Sequence, residues 1–269
     1  MTGGRALLGV AMTAAAIGGE VLRRHFRALD PGQVSEKARN DYVSAADRAS
    51  EEAIAAFLQR ETPEYGLLAE EAGASGTIGA RWVVDPLDGT ANFIHSFPHF
   101  AVSVAFVEAG EAVVGAVYDP MRDEMFAAAR GEGARCNGRR LAVTGRVGLA
   151  GGFLTTGFPF RVHRMIDLYL EVFRDVFLQV AAIRRPGAAA LDLAHTAAGI
   201  FDGFFEFCLS EWDIAAGALL VREAGGIVTD LDGGPGIFAH GNVVAAAPGM
   251  HPELLRLIRA HCREADVQP

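Results

Sequence analysis

At 269 residues, with 51% apolar and 21% charged side chains, the chain can bury a substantial core, and this balance excludes a disordered or fibrous protein. A net charge of −9 argues against nucleic acid as the main ligand, since affinity for a phosphate backbone comes from clustered Lys and Arg; an acidic excess suits a site that gathers metal cations. Cys136, Cys208 and Cys262 are odd in number and far apart, so they indicate neither a disulfide framework nor a thiolate zinc site, and a reducing cytoplasm is the simpler expectation.

From the N-terminus, Arg5 and the Ala-rich run from Ala6 to Gly19 loosely mimic a signal peptide. The recurrence of Leu7, Leu8, Val10, Ala14, Ile17, Val21 and Leu22, with Glu20, Arg23 and Arg24 on a polar face, favours an amphipathic first helix. No run reads as long enough to span a membrane. Lys37 and Arg39, preceding Asp41, are expected in a mobile loop. Ser44-Ala-Ala-Asp47 is a capping-box variant that predicts a second helix to about Arg60, so that two helices precede the first confident strand. Trp82–Asp85 reads as a strand. Phe100–Val107 and Val113–Tyr118 read as a pair turned at Glu108-Ala-Gly-Glu111, and the Cys136-Asn-Gly138 turn closes another hairpin.

Beyond Gly152 strands and helices alternate: a strand at Phe153–Thr156, a helix near Val162–Phe177, a strand at Ala181–Arg185, a helix at Ala188–Ala198, a strand at Gly203–Phe207 and a helix at Asp213–Ala224. Such alternation after a largely antiparallel half predicts an α/β layered sandwich. One domain over residues 1–269 is expected, with approximate subdomains 1–150 and 151–269 and a cleft between them.

Asp85-Pro-Leu-Asp-Gly-Thr90 stands where a strand ends. It reads either as a turn, with Pro86 presetting φ and Gly89 tolerating strain, or as two carboxylates three positions apart that converge on a hard cation. Gly89-Thr90-Ala-Asn92 would open a short helix whose amides face an anion. Glu70-Glu71 is either exposed acid after a strand or part of the same site, and Asp213 either complements a helix dipole or joins it. For His95 and His99 structural roles are favoured over metal binding, because histidine suits a softer metal than an oxygen-rich set does.

Leu68-Ala-Glu-Glu71, Trp82–Thr90 and Trp212-Asp-Ile-Ala-Ala-Gly217 together resemble the signature of the inositol monophosphatase family, in order and separation. Similarity extends through Asn92–His95, Phe97-Pro98, Val117–Pro120, Gly157–Pro159, Arg184-Arg185, Ala189–Asp192 and Arg222–Gly226, covering essentially the whole chain, with the bacterial branch the nearest likeness. The resemblance implies an αβαβα sandwich of the sugar-phosphatase type. It implies two or three Mg2+ ions held by Glu70, Asp85, Asp88 and Asp213 through side chains and by Leu87 through its carbonyl. Cations are also a physical necessity, because each pair of unit charges repels by about 4 kcal/mol at about 4 Å and an effective dielectric of about 20.

The same resemblance implies in-line hydrolysis of a phosphate monoester, with water oriented or deprotonated by a Thr90–Asp47 pair. Asp47 thus has two readings, helix cap and catalytic partner. Gly89 and Thr90 are expected to hold phosphate by backbone, and Gly187, Ala188, Ala189 and Glu206 to meet polyol hydroxyls. The family's Gly-Ser/Thr-Ala pattern is Gly187-Ala188-Ala189 here, so one hydroxyl is missing, and Glu206 also reads as a solvent-facing strand residue. Inositol 1-phosphate is the leading substrate; fructose 1,6-bisphosphate, histidinol phosphate and 3′-phosphoadenosine 5′-phosphate are alternatives. A homodimer and lithium sensitivity are implied as well. A non-enzymatic alternative is a protein that binds the transcription machinery, without direct nucleic-acid or membrane binding.

Overall fold

The computed structural model describes the chain except residues 1, 29–31, 33, 39–40, 78, 160–161, 263–266 and 268–269, and except the side chains of 2, 36–38, 41 and 163. The expectation for the charges of Lys37, Arg39 and Asp41 therefore lies outside the described residues. In chain order the first half holds α1 (Thr2–His25), β1 (Val34–Ala38), β2 (Asp41–Ser44), α2 (Ala45–Glu61), β3 (Gly66–Ala69), β4 (Gly73–Ser75), β5 (Ala80–Asp88), α3 (Thr90–Ile94), β6 (Ala101–Glu108), β7 (Glu111–Asp119), β8 (Glu124–Ala129), β9 (Gly133–Cys136) and β10 (Arg139–Arg140). The second holds β11 (Phe153–Thr156), α4 (Ile166–Phe177), β12 (Ala182–Arg184), α5 (Ala189–Ala197), β13 (Gly203–Glu206), α6 (Glu211–Glu223), β14 (Ile227–Thr229), α7 (Ile237–His240), β15 (Val243–Ala246) and α8 (His251–Arg259).

An eight-stranded sheet runs β10-β9-β8-β7-β6-β5-β3-β4, antiparallel except where β3 lies parallel to β5. A five-stranded sheet runs β12-β11-β13-β15-β14. Alternation along each strand sorts the side chains into layers. Trp82, Val84, Val104 and Phe106 face one core with α1 and α2, while Val83, Ala105 and Val107 face a second core with α5 and α6. Phe204 and Ala245 close that second core from the smaller sheet, and Phe205 and Val244 face a third core with α4 and α8. The outcome is an αβαβα sandwich, as the resemblance implied.

Two expectations need correction. The β1–β2 hairpin lies between α1 and α2, so two helices do not precede the first strand; its short, polar Val34-Ser-Glu-Lys-Ala38 carries no alternating apolar signal. Gly3–His25 in α1 does have the length and apolarity of a membrane span, contrary to the expectation that no run reaches it. That apolarity serves packing here: Ala11, Ala14, Ala15 and Leu22 are buried against α2 and the sheet. Gly18 and Gly19 permit the approach, since a Cβ at Gly18 would meet Ile54 Cδ1 at 2.6 Å and one at Gly19 would overlap the Tyr118 ring.

The hairpin readings hold. Ala109 and Gly110 (φ 52° and 79°) turn β6 into β7, and Asn137 and Gly138 (φ 47° and 81°) turn β9 into β10, both in the left-handed conformations a tight hairpin needs.

Candidate active site

The site begins at the carboxyl end of β5. Asp85 Oδ1 accepts the Leu87 amide at 2.9 Å, folding Pro86-Leu87 back over the strand end, and Ser50 Oγ of α2 donates to the Pro86 carbonyl at 2.9 Å. Gly89 then reverses the chain at φ 93°, as N-cap of the short α3. A Cβ here would lie 3.1 Å from the His99 carbonyl and 3.3 Å from Ala188 Cβ, so both conformation and space demand glycine.

Asp85, Asp88 and Asp213 each place one carboxylate oxygen within 4.8 Å of the others, and all three are buried. Asp213 arrives from the first turn of α6, where its Oδ2 also accepts the Ser210 amide at 2.7 Å in a capping box. Asp88 is steadied by α5: its Oδ1 accepts the Ala189 amide at 3.2 Å and its Oδ2 the Ala190 amide at 2.7 Å. The stretch 187–189, expected to meet polyol hydroxyls, leads into a helix N-terminus that holds a cluster carboxylate. Glu70, just after β3, and Leu87 line the same cleft, beside Gly187, Ala188, Ala189 and Glu206.

Electrostatics mark the cluster as costly when empty of cations. Burial, then the carboxylates of Glu70, Asp88 and Asp213, hold the Asp85 carboxyl well above its ordinary range, with only the Leu87 amide opposing. Asp88 is pushed up to about 7 by burial and by Asp213, against the amides of α5. An oxygen-only donor set with this repulsion fits a hard divalent cation and does not fit a soft metal.

Asp47 caps α2 and also reaches Thr90. Its Oδ2 accepts from the Ser44 amide at 2.8 Å and the Ser44 hydroxyl at 2.6 Å, capping α2, while its Oδ1 lies 3.0 Å from Thr90 Oγ1. Thr90 Oγ1 is also 3.1 Å from the Leu87 carbonyl. Burial raises the Asp47 carboxyl, and the donors at Ser44 and Thr90 pull it back down.

Glu206, at the end of β13, is buried at 7% exposure, which removes the solvent-facing reading. A Cβ at Gly157 would overlap its carboxylate, so that glycine makes the space the carboxylate occupies. His99 is buried against His195, and burial followed by the neighbouring His195 holds it down to about 4; neither it nor the exposed His95 lines the cleft. The supporting contacts of three residues escaped the sequence. Glu51 of α2 accepts the Glu71 and Ala72 amides, both at 2.8 Å, and so fixes the turn carrying Glu70. The Asn92 amide donates to the His99 and Pro186 carbonyls at 2.8 and 2.9 Å, tying the Asp85–Thr90 loop to the approach of α5. Tyr42 of β2 lines the cleft. None has a local pattern that marks it; each acts on backbone or space distant in sequence.

A family model described as the inositol monophosphatase family matches residues 5–264. The chain belongs to the inositol monophosphatase family. A Pseudomonas aeruginosa protein named Nus factor SuhB is 49% identical over 262 residues, covering 95% of this chain and 96% of that one. Among solved structures, the extragenic suppressor protein suhB of Bartonella henselae shares 43% identity with a TM-score of 0.90, covering 96% of this chain and 100% of that one. The inositol monophosphatase of Anabaena shares 36% with a TM-score of 0.87, covering 96% and 97%. The family's fold is thus the fold of this chain.

Proposed function

We propose that the chain is a Mg2+-dependent phosphate monoester hydrolase acting on a small polyol phosphate, with inositol 1-phosphate as the leading substrate. One observation carries this reading: a buried three-aspartate cluster stands beside a hydrogen-bonded Thr90–Asp47 pair in a single cleft. Asp85, Asp88 and Asp213 would hold the cations together with Glu70 and the Leu87 carbonyl. When bound, Mg2+ makes a nearby water more acidic and offsets charge on the phosphoryl and leaving oxygens.

The chain's own groups do the rest. With its hydroxyl proton given to Asp47 Oδ1, Thr90 Oγ1 keeps a lone pair for an incoming water and orients it. Asp47 Oδ1, within hydrogen-bond reach of Thr90 Oγ1, is the acceptor for the proton that Thr90 passes on. The Gly89 and Thr90 amides receive the phosphate oxygens, and the Glu206 carboxylate receives polyol hydroxyls above Gly187–Ala189.

Fructose 1,6-bisphosphate, histidinol phosphate and 3′-phosphoadenosine 5′-phosphate are the competing substrates. A phosphate-release screen of the purified protein over all four decides among them, and preference for inositol 1-phosphate is expected. A second reading, association with the transcription machinery alongside hydrolysis, is supported by the name Nus factor SuhB borne by the 49% identical relative. A pull-down with intact and Asp88→Asn protein separates the two, since binding by the inactive variant would show that association does not need hydrolysis.

A further inference from the structure

The cluster joins two pieces of chain with nothing covalent between them nearby: Asp85 and Asp88 belong to β5, and Asp213 to the first turn of α6. The spacing of the three carboxylates is therefore set by how that turn is held to the sheet. Beside the core packing of Ile214 and Ala215, two polar contacts hold it. Ser103 Oγ, on the β6 residue paired with Asp85, donates to the Trp212 carbonyl at 3.2 Å. Arg81, in the same strand as Asp85, brings Nη2 to 2.9 Å from Oε1 and 2.8 Å from Oε2 of Glu211. The Arg81 and Glu211 side chains are only 20% and 14% exposed, so the pair is little screened, unlike the open surface pairs elsewhere on the molecule.

We infer that Arg81 and Glu211 are positioning residues for cation binding: their ion pair clamps the first turn of α6 onto β5 and so sets the distance from Asp213 to Asp85 and Asp88. Neither side chain is assigned to the cation or the substrate. Glu211 opens the turn and Asp213 ends it, so a shift at Glu211 is carried to Asp213 by rigid helix backbone. Loosening the clamp therefore weakens cation affinity although every ligand residue is still present. This inference rests on reading the three-aspartate cluster as the cation site.

The test is isothermal titration of Mg2+ and Mn2+ into the full-length protein and into Arg81→Met, Glu211→Gln, Arg81→Lys and the charge-exchanged double variant Arg81→Glu/Glu211→Arg, each with a thermal melt. Removing a group that orients metal ligands typically weakens affinity about 10-fold to 100-fold, and a loss at the lower end is expected for Arg81→Met and Glu211→Gln. Arg81→Lys keeps the charge and should lose less, and it serves if Arg81→Met fails to fold. The double variant should recover most of the affinity. Folded single variants that bind cations as tightly as the parent would overturn the inference, as would a double variant no better than the singles. A parent protein that binds cations but releases no phosphate would count against the proposed hydrolysis and leave the clamp standing on its calorimetry. A parent that binds no divalent cation would overturn both.

Discussion

At the scale of single residues, Asp88 is the most informative position. Its carboxyl, raised to about 7, is largely protonated in the cation-free protein on the acid side of neutrality, so Asp88→Asn replaces a nearly neutral group by a neutral isostere. The variant leaves one α5 amide without its acceptor, so it should fold with a modestly lowered melting temperature, and it should lose phosphate release by at least about 100-fold, because the charge it removes is needed once a cation enters. The same elevation has a pH signature. Below its ordinary value of 3.8 the carboxyl is protonated whether the chain is folded or not; between 3.8 and about 7 only the folded chain keeps the proton. This group's contribution to the stability of the cation-free protein therefore falls as pH rises through that window. A bound cation displaces the proton, so the rise in melting temperature on adding Mg2+ should grow as pH rises through that window. A Mg2+ effect independent of pH would count against a proton on Asp88 that the cation must displace.

Glu206 gives the residue-scale test of substrate choice. Glu206→Gln should weaken polyol phosphate turnover while sparing an aryl phosphate, by about 1.5–3 kcal/mol for one charge-assisted hydrogen bond, or roughly tenfold to a hundredfold. Because a Cβ at Gly157 would overlap the Glu206 carboxylate, Gly157→Ala should produce the same selective loss without touching a ligand. Parallel kcat/KM measurements on the two substrates check both variants. Equal losses on both substrates would point to damage of the cation site instead.

At the scale of elements, the site depends on how closely α6 lies on the large sheet. A Cβ at Gly115 of β7 would stand 2.8 Å from Ala216 Cα, so Gly115→Ala must lift the helix or strain the strand. A stability loss of about 1–3 kcal/mol is expected from such overpacking, read as a lower denaturant midpoint. Weaker Mg2+ binding should accompany it, since the same helix carries Asp213. What the sequence revealed at this scale follows from which signals are local. The Asn137-Gly138 turn, the Ser44 cap of α2 and the alternation in β6 and β7 are written in neighbouring residues, and each was legible. The β1–β2 hairpin and the short β14 and β15 were not, because their formation depends on partners far along the chain. For the site, Asp85, Asp88 and Asp213 stood out by resemblance, whereas the amides of Ala189 and Ala190 on Asp88 and the ion pair of Arg81 with Glu211 exist only after the layers stack.

At the scale of the whole molecule, five layers bring the end of β5 and the starts of α5 and α6 to one cleft, and the family's fold is kept over nearly the full chain. The homodimer is an expectation from the resemblance alone; Ile166, Leu170, Phe177 and Leu178 leave an exposed apolar row along and just beyond α4. Light scattering at micromolar concentration should return twice the 28.5 kDa chain mass, and a chain mass of one would remove the dimer from the account. The central claim, that this cleft hydrolyses a phosphate monoester with Mg2+, is tested most directly by phosphate release from inositol 1-phosphate by the purified protein, with Mg2+, with chelator, and with Asp88→Asn in its place. The account predicts release that requires Mg2+ and vanishes in the other two conditions; no release from any of the four candidate substrates at saturating Mg2+, by a folded and cation-bound protein, would contradict it.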